Sequence, residues 1–367
     1  MKLIILKNNL LEGLGSVEKS VSDNANLPIL KNVLLKVEDN KITLVSTNLE
    51  LAIKHYVSGK IIEKGEITVP FNIFANIVRN LNVERIDLEN KDRDLIIKTD
   101  NYEALIQGQD TGEFPIIPRI NNDQNFISLK TDVLKQALAQ VIVATQYSDI
   151  RPEISGVYLN YQNNFLKLVA TDSFRLAEKT LNQDQFKSTL SEFEVIIPFK
   201  TAQEVLRIIT DSETKVFIDP NQILFKTEAQ EVTSRLISSR FPDYQAILPK
   251  ETKNEAMISR AEFIGALKLT SVFAGRANDI VLKVGENKKN LELSSRDSRL
   301  GQNRYLIPIK LRGEKFSVAF NWRYLLDGLK IYSAEELILG VNSPDRAVAV
   351  KSLAEPTLIY ILMPIKT

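Results

Sequence analysis

The sequence predicts an α+β protein made of three copies of one domain, each with two helices packed on antiparallel sheets. Three observations predict it: a strand-turn-strand hairpin that comes three times, a helical stripe before each hairpin, and a second helix that follows a short apolar strand after each. The chain has 367 residues, 44% hydrophobic and 25% charged. That balance is ordinary for a globular protein, and the length exceeds one domain of roughly 100 to 200 residues.

The hairpins set the register of the repeat. Residues 33–37 and 42–45 read as strands reversed at the polar run Glu38, Asp39, Asn40 and Lys41. Residues 156–161 and 165–170 repeat the pattern around Gln162, Asn163 and Asn164, and residues 280–284 and 291–294 repeat it around Gly285, Glu286 and Asn287. Just beyond stand Ser46-Thr47-Asn48-Leu49-Glu50-Leu51, then Ala170-Thr171-Asp172-Ser173-Phe174-Arg175-Leu176, then Ser294-Ser295-Arg296-Asp297-Ser298-Arg299-Leu300. Thr47 and Thr171 are 124 positions apart (171 − 47), as are Arg175 and Arg299 (299 − 175).

Helical periodicity precedes each hairpin. Leu10, Leu14, Val17 and Val21 form the first stripe; Val133, Leu134, Ala137, Leu138, Val141 and Ile142 form the second; Phe263, Ile264 and Leu267 form the third. After each hairpin a strand, at 67–71, 195–199 and 316–320, runs into a second helix. Those helices carry Phe74, Ile77, Val78 and Leu81, then Ala202, Val205, Leu206 and Ile209, then Leu325, Leu326 and Leu329. The unit is therefore β-α-β-β-β-α-β-β-β, and its length of about 122 residues suits a whole domain and exceeds a solenoid repeat. Domains are expected at 1–119, 120–249 and 250–367. Phe114-Pro115-Ile116-Ile117-Pro118 and the stretch from Phe241-Pro242 to Leu248-Pro249 close the first two, because paired prolines continue neither a ladder nor a helix.

Charge and composition exclude several functions. Forty-seven basic and 46 acidic residues give a net charge of +1, so any nucleic-acid surface is local. The absence of cysteine removes disulfides and thiolate chemistry and fits a reducing cytoplasm. No run approaches the ~18 apolar residues of a membrane helix, and the start, Met1-Lys2-Leu3-Ile4-Ile5-Leu6, lacks the long apolar core of a secretory leader. A soluble, cytoplasmic protein without a membrane partner is expected.

Catalytic machinery is missing. His55 is the single histidine, expected to face solvent on an alternating strand, so neither a Ser-His-Asp nor a Cys-His arrangement is available. Imidazole metal sites fail likewise. Gly13-Leu14-Gly15-Ser16 matches no phosphate-binding loop and reads as a locally weak helix. Asp172 with Asp243, or Asp297 with Asp345, could pair as acid and base, but such spacings are common by chance. No catalytic residue, metal or cofactor is expected. Cations are better organised: Lys19, Arg79, Lys135, Lys200 and Arg207 fall on or at the ends of predicted helices. Arg260, Lys268, Arg276, Arg323 and Lys330 do the same. If the helices share a surface, these charges form a stripe for phosphates without base reading.

Three stretches resemble a known family. Arg151-Pro152-Glu153-Ile154-Ser155-Gly156-Val157, residues 170–177, and Ser234-Arg235-Leu236-Ile237 with Arg240-Phe241-Pro242-Asp243-Tyr244 are similar to the bacterial sliding clamps, the β subunit of DNA polymerase III. The ending from Tyr360 to Thr367, the early Leu27-Pro28-Ile29-Leu30 and the triplicate order extend the likeness over the whole chain. The resemblance implies a non-catalytic processivity subunit for DNA replication, a head-to-tail homodimer forming a six-domain ring with helices inside. Twelve helices about 9 Å apart would leave a hole roughly 24 Å wide, enough for a hydrated duplex.

It also implies sites. Lys19, Arg79, Lys135, Arg151, Lys200, Arg207, Lys268 and Arg276 would face double-stranded DNA, and Leu105, Ile106, Val272 and Phe273 would lie at the dimer interface. A cleft for short linear motifs of the replicative polymerase, the clamp loader, and repair and translesion polymerases would use Ile154, Thr171, Ser173, Phe174, Arg175 and Leu176. Pro242, Ile247, Asn321, Tyr324, Pro344 and Arg346 would continue its wall, and Met363, Pro364 and Ile365 would complete it. Phe174 stands where the family often has His, Ala246 where it often has Arg, Lys366-Thr367 where it often ends Arg-Leu, and Asn24 where some members carry a DNA-contacting Arg; these departures bear on peptide preference and DNA contact. From the residues alone, a scaffold that does not load on DNA and a carboxylate hydrolase remain the other readings.

Overall fold

Among the described residues, each of the six α-helices begins on the residue after a strand, so a strand leads straight into it. The computed structural model describes residues 1–22, 26–120 and 124–365; Asn24, Lys366 and Thr367 lie outside the described residues. The helices are α1 (Lys7–Val17), α2 (Phe71–Asn80), α3 (Thr131–Ile142), α4 (Phe199–Ile208), α5 (Arg260–Thr270) and α6 (Trp322–Lys330). The stripes expected from periodicity are there, but Val21, Leu81 and Ile209 fall just past the helix ends.

Five strands, not three, separate the two helices of each repeat. In the first repeat they are Asn32–Glu38, Lys41–Thr47, Leu51–Val57, Gly59–Glu63 and Gly65–Pro70. The strand preceding the last of the five (Gly59–Glu63, Phe186–Ser188 and Lys310–Arg312) is the short one, and in the first repeat it is mostly exposed. Such strands carry no apolar alternation for a sequence pattern to detect.

The chain forms two compact units. The first holds residues 1–132, 187–190 and 204–236; the second holds 133–186, 191–203 and 237–367. The middle repeat is thus divided, because sheet pairing runs across repeat boundaries. In the first unit, Leu51–Val57 pairs antiparallel with Gln230–Arg235, from Ser234 opposite Leu51 to Gln230 opposite His55, inside a nine-stranded sheet. The second unit has the same seam: Arg175–Leu181 pairs with Leu358–Leu362, from Arg175 opposite Leu362 to Lys179 opposite Leu358, again in a nine-stranded sheet.

Each unit also has a smaller sheet. The first unit's has five strands, ordered Gly59–Glu63, Lys2–Leu6, Arg85–Lys91, Asp94–Lys98 and Glu103–Gln107. The second unit's has four, ordered Gly301–Pro308, Asn290–Asp297, Asp279–Val284 and Ser317–Asn321.

Packing of α1 corrects two expectations. Gly13 is no weak point, since a Cβ there would lie 2.8 Å from both Leu44 and Val57 and 3.2 Å from the His55 ring; glycine lets the helix approach the sheet. His55 does not face solvent. It is 5% exposed, turned to the helix-covered face. Burial pushes its pKa down, against the opposing pull of Glu12, Gln230 and Asp211. Among the described residues no helix is long and apolar enough to cross a membrane.

Candidate functional site

The site is built on the turn from Thr171 to Leu176 in the second unit. Thr171 Oγ1 donates to Arg175 O (2.7 Å) and accepts from Ser173 N (3.2 Å), while Asp172 Oδ1 accepts from the amides of Phe174 (2.9 Å) and Arg175 (3.0 Å). A short side chain capping amides two and three residues on is what favours Asp in tight turns. Ser173 takes a left-handed φ of 77° at the bend. The reversal throws Phe174 outward, 61% exposed, and turns Arg175 inward.

Arg175 is held on three sides. Its Nε donates to Asp172 Oδ2 (2.9 Å), a terminal nitrogen donates to Asp327 Oδ2 (2.6 Å), and its guanidinium lies 4.3 Å from the centre of the Tyr324 ring. Burial opposes the charge, yet the Tyr360 phenol and the two carboxylates hold its pKa above the usual guanidinium value. A buried cation with these partners is a fixed part of the wall, since losing one partner strands the charge.

Around this anchor the exposed surface is apolar. Phe174 lies beside Tyr324 with ring centres 6.4 Å apart. Met363 N donates to Phe174 O (2.8 Å) and Ile365 N to Ala319 O (2.8 Å), so residues 363–365 run on beyond the Leu358–Leu362 strand along the turn. Asn321 is engaged as the cap of α6, accepting from Arg323 N at 3.0 Å. The core beneath gathers Leu176, Phe241, Tyr244, Ala349 and Ile361, and Pro242, Arg346 and Met363, within three positions of these along the chain, are exposed. Ile247 is exposed and Pro344 lies in the turn before Val348–Lys351.

Two expected wall residues are core. Leu176 and Ile154 are buried; strand alternation carries Leu176 to the sheet's covered face, where it joins the Tyr158–Phe241 stack. Two participants lie outside the expected wall: Asp327 is distant in sequence and carries no local signal, and Asp172, one of the carboxylates that could pair with Asp243, is instead a turn cap. Arg151, expected to face DNA, is on no helix: it donates to Ser173 Oγ at 2.7 Å and pairs with Glu153 at 3.0 Å.

The remaining cations are mostly exposed. Lys200 lies 5.2 Å from the Tyr147 ring centre, Lys268 and Lys330 are exposed near the ends of α5 and α6, and Lys135 is half-buried on α3. Lys19 is exposed in the turn after α1. Arg79 pairs with Glu18 (3.0 Å) and Arg207 with Glu204 (2.7 Å). Arg323 stands over Trp322, Arg276 lies in the loop after α5, and Arg260 donates to Leu329 O (3.0 Å) in a structural role.

Of the interface residues, Leu105 and Val272 are exposed and Phe273 packs over Gly301, but Ile106 is 3% exposed and belongs to the core. Alternation on Glu103–Gln107 sends Leu105 out and Ile106 in. Asp297 is a turn cap, accepting from the amides of Arg299 (2.8 Å) and Leu300 (2.9 Å). Among the described residues no three His, Cys, Asp or Glu side chains cluster to hold a metal.

Comparison with known proteins covers the chain end to end. Models of the DNA polymerase III beta subunit match its N-terminal domain at residues 1–118, its central domain at 128–243 and its C-terminal domain at 245–366. The beta sliding clamp of Bacillus subtilis is 26% identical over 380 residues, covering all of both chains. That of Synechococcus elongatus is 28% identical over 375 residues, covering 100% of this chain and 99% of the relative. Among solved structures, the DNA polymerase sliding clamp of B. subtilis fits with a TM-score of 0.94 at 26% identity, over 100% of this chain and 99% of that one. The Pseudomonas aeruginosa sliding clamp bound to griselimycin fits with a TM-score of 0.94 at 25% identity, over 100% of both.

Proposed function

The chain belongs to the DNA polymerase III beta subunit family of non-catalytic processivity clamps, and we propose that two copies of it close head to tail around duplex DNA. On this reading the ring slides without reading sequence. Exposed Phe174, Ile247 and Met363 receive short linear motifs from the replicative polymerase, the clamp loader and repair polymerases.

The observation that carries the ring is a count of strands. Each nine-stranded sheet is a five-stranded half joined to a four-stranded half at one antiparallel seam. The two smaller sheets have five and four strands, and end on Glu103–Gln107 and Gly301–Pro308. They are the same halves without their seam. Open edges offer unpaired amides and carbonyls to another chain, so the five-stranded sheet of one copy and the four-stranded sheet of the next would complete a third nine-stranded sheet. A head-to-tail contact that closes under twofold symmetry gives a ring rather than a filament. Exposed Leu105 and Val272 and half-buried Phe273 flank those edges.

A ring holds DNA by topology, so a net charge of +1 is no obstacle and weak phosphate contacts suffice for sliding. Light scattering at micromolar concentration should give twice the monomer mass, and protein loaded on a closed DNA circle should be released when the circle is cut. Replacing Lys135, Lys200 and Arg207 with Glu should raise salt sensitivity with no change in sequence preference. A strict monomer, or equal retention on cut and closed DNA, would overturn encirclement.

A further inference from the structure

Beside the seam of the first unit, the turn at 47–52, the connection at 115–118 and the turn at 219–222 enclose a groove of about 500 Å³. It is built on the same backbone as the cleft. Leu49 N donates to Thr47 Oγ1 (3.0 Å) and Leu51 N to Asn48 Oδ1 (2.8 Å), as Ser173 and Arg175 do to Thr171 and Asp172. Leu49 bends at a φ of 74° where Ser173 bends at 77°. Arg235 N donates to Glu50 O at 2.9 Å, the bond that Met363 N makes to Phe174 O. Phe114 and Ile117 pin the connection beside Val45, as Phe241 and Tyr244 pin theirs beside Val169. Pro220 sits in the turn after Glu213–Asp219, as Pro344 sits in the turn after Glu336–Val341.

The lining differs in charge. Glu50 replaces Phe174, apolar Leu51 replaces the buried guanidinium of Arg175, and Arg235 replaces Met363. With Asp219 the groove has two carboxylates and one guanidinium. Arg235 reaches Glu50 at 3.5 Å with both side chains well exposed, a weak pair that a ligand can replace. Two large apolar residues flank the opening: Leu49, 44% exposed, and Ile116, 93% exposed between Pro115 and Ile117.

Building on the reading of the cleft as a peptide site, we propose that this groove is a second one, taking an extended segment of a partner protein that has an apolar anchor next to a Lys or Arg. The anchor seats between Leu49 and Ile116, and the cation lies toward Glu50 and Asp219. An apolar cleft and a charged groove would let one clamp hold two different motifs at once.

The test uses the full chain and three labelled decapeptides: a Leu-Phe anchor flanked by two lysines, the same anchor flanked by two aspartates, and a Gln-Leu-Phe peptide as cleft probe. The variants are Leu49→Asn with Ile116→Asn, chosen because both positions are exposed, Asn tolerates a left-handed φ and neither change adds charge to the groove, and Phe174→Ala for the cleft. A thermal melt confirms folding of each. The lysine peptide should bind at least fivefold more tightly than the aspartate peptide, weaken at least tenfold in the groove variant, and be unaffected by Phe174→Ala or by saturating cleft probe. No binding at millimolar peptide, indifference to the groove variant, or displacement by the cleft probe would each overturn the proposal. So would a mass above the dimer that the groove variant abolishes, since the occupant would then be a second copy of the chain. A cleft probe indifferent to Phe174→Ala would instead count against the cleft itself, so the two failures are distinguishable.

Discussion

The seam of the first unit and the seam of the second use one backbone for two surfaces. Both turns are closed by a Thr hydroxyl and by a capping Asn48 or Asp172, and both bend at one left-handed residue. In the second, a buried ion network stands under the exposed ring of Phe174; in the first, an apolar Leu51 stands under an exposed ion pair. The comparison separates what shapes a turn from what a partner meets there. Backbone caps set the shape, and the outward side chains are free to set chemistry.

The sharpest contrast should come from the caps. Asp172→Ala removes the acceptor of two amides and one partner of a buried guanidinium, and should cost about 3 kcal/mol. Asn48→Ala removes the amide acceptors alone and should cost about 1 kcal/mol. Urea unfolding of the two full-length variants measures both, and equal costs would mean that the Arg175 network adds nothing to the second seam.

Recognition should depend on the outward residues. Phe174→Ala is expected to leave unfolding nearly unchanged and to weaken a Gln-Leu-Phe peptide about tenfold, or about 1.4 kcal/mol, by calorimetric titration. Met363→Ala should weaken it less, because a flexible thioether is one adaptable contact among several.

Acid should weaken the first seam selectively. His55 is buried and its pKa is held below the ordinary 6.5, so as pH falls the unfolded chain takes up a proton before the folded chain does. Stability is then full above pH 7 and falls as pH drops through 6.5 toward the folded value. Between pH 7.5 and 5.5 the wild type should lose up to about 1 kcal/mol more than His55→Gln, by paired urea melts. At the matching place in the second seam stands Lys179 (179 − 55 is again 124), its pKa lowered by burial.

The smallest effect belongs to the exposed pair at the first turn. Arg235→Ala should change stability by less than about 0.5 kcal/mol. A larger loss at low salt would show Glu50 and Arg235 to be structural rather than available to a ligand.

Local periodicity carried much of the architecture. The stripes Leu10-Leu14-Val17 and Phe263-Leu267 and the three hairpins lie within a few residues of their own signals, because side-chain direction repeats every 3.6 residues in a helix and every two in a strand. The same locality explains the failures. Gly59–Glu63 has no buried face and therefore no alternation, and Leu105 and Ile106 look alike until the strand's covered side is known. His55 sits on a strand whose exposure is decided by α1 lying over it.

Three repeats and their two helices each were determined by the sequence alone, because each rests on residues within one helix, one turn or one strand of the chain. Only the tertiary structure decided that the middle repeat is shared between two units, that Arg175 meets Asp327 across 152 positions, and that the first seam encloses a groove matching the cleft. Those facts depend on which distant strands pair and which side chains then meet. Closing a long loop is favourable only once the whole sheet is there to complete it.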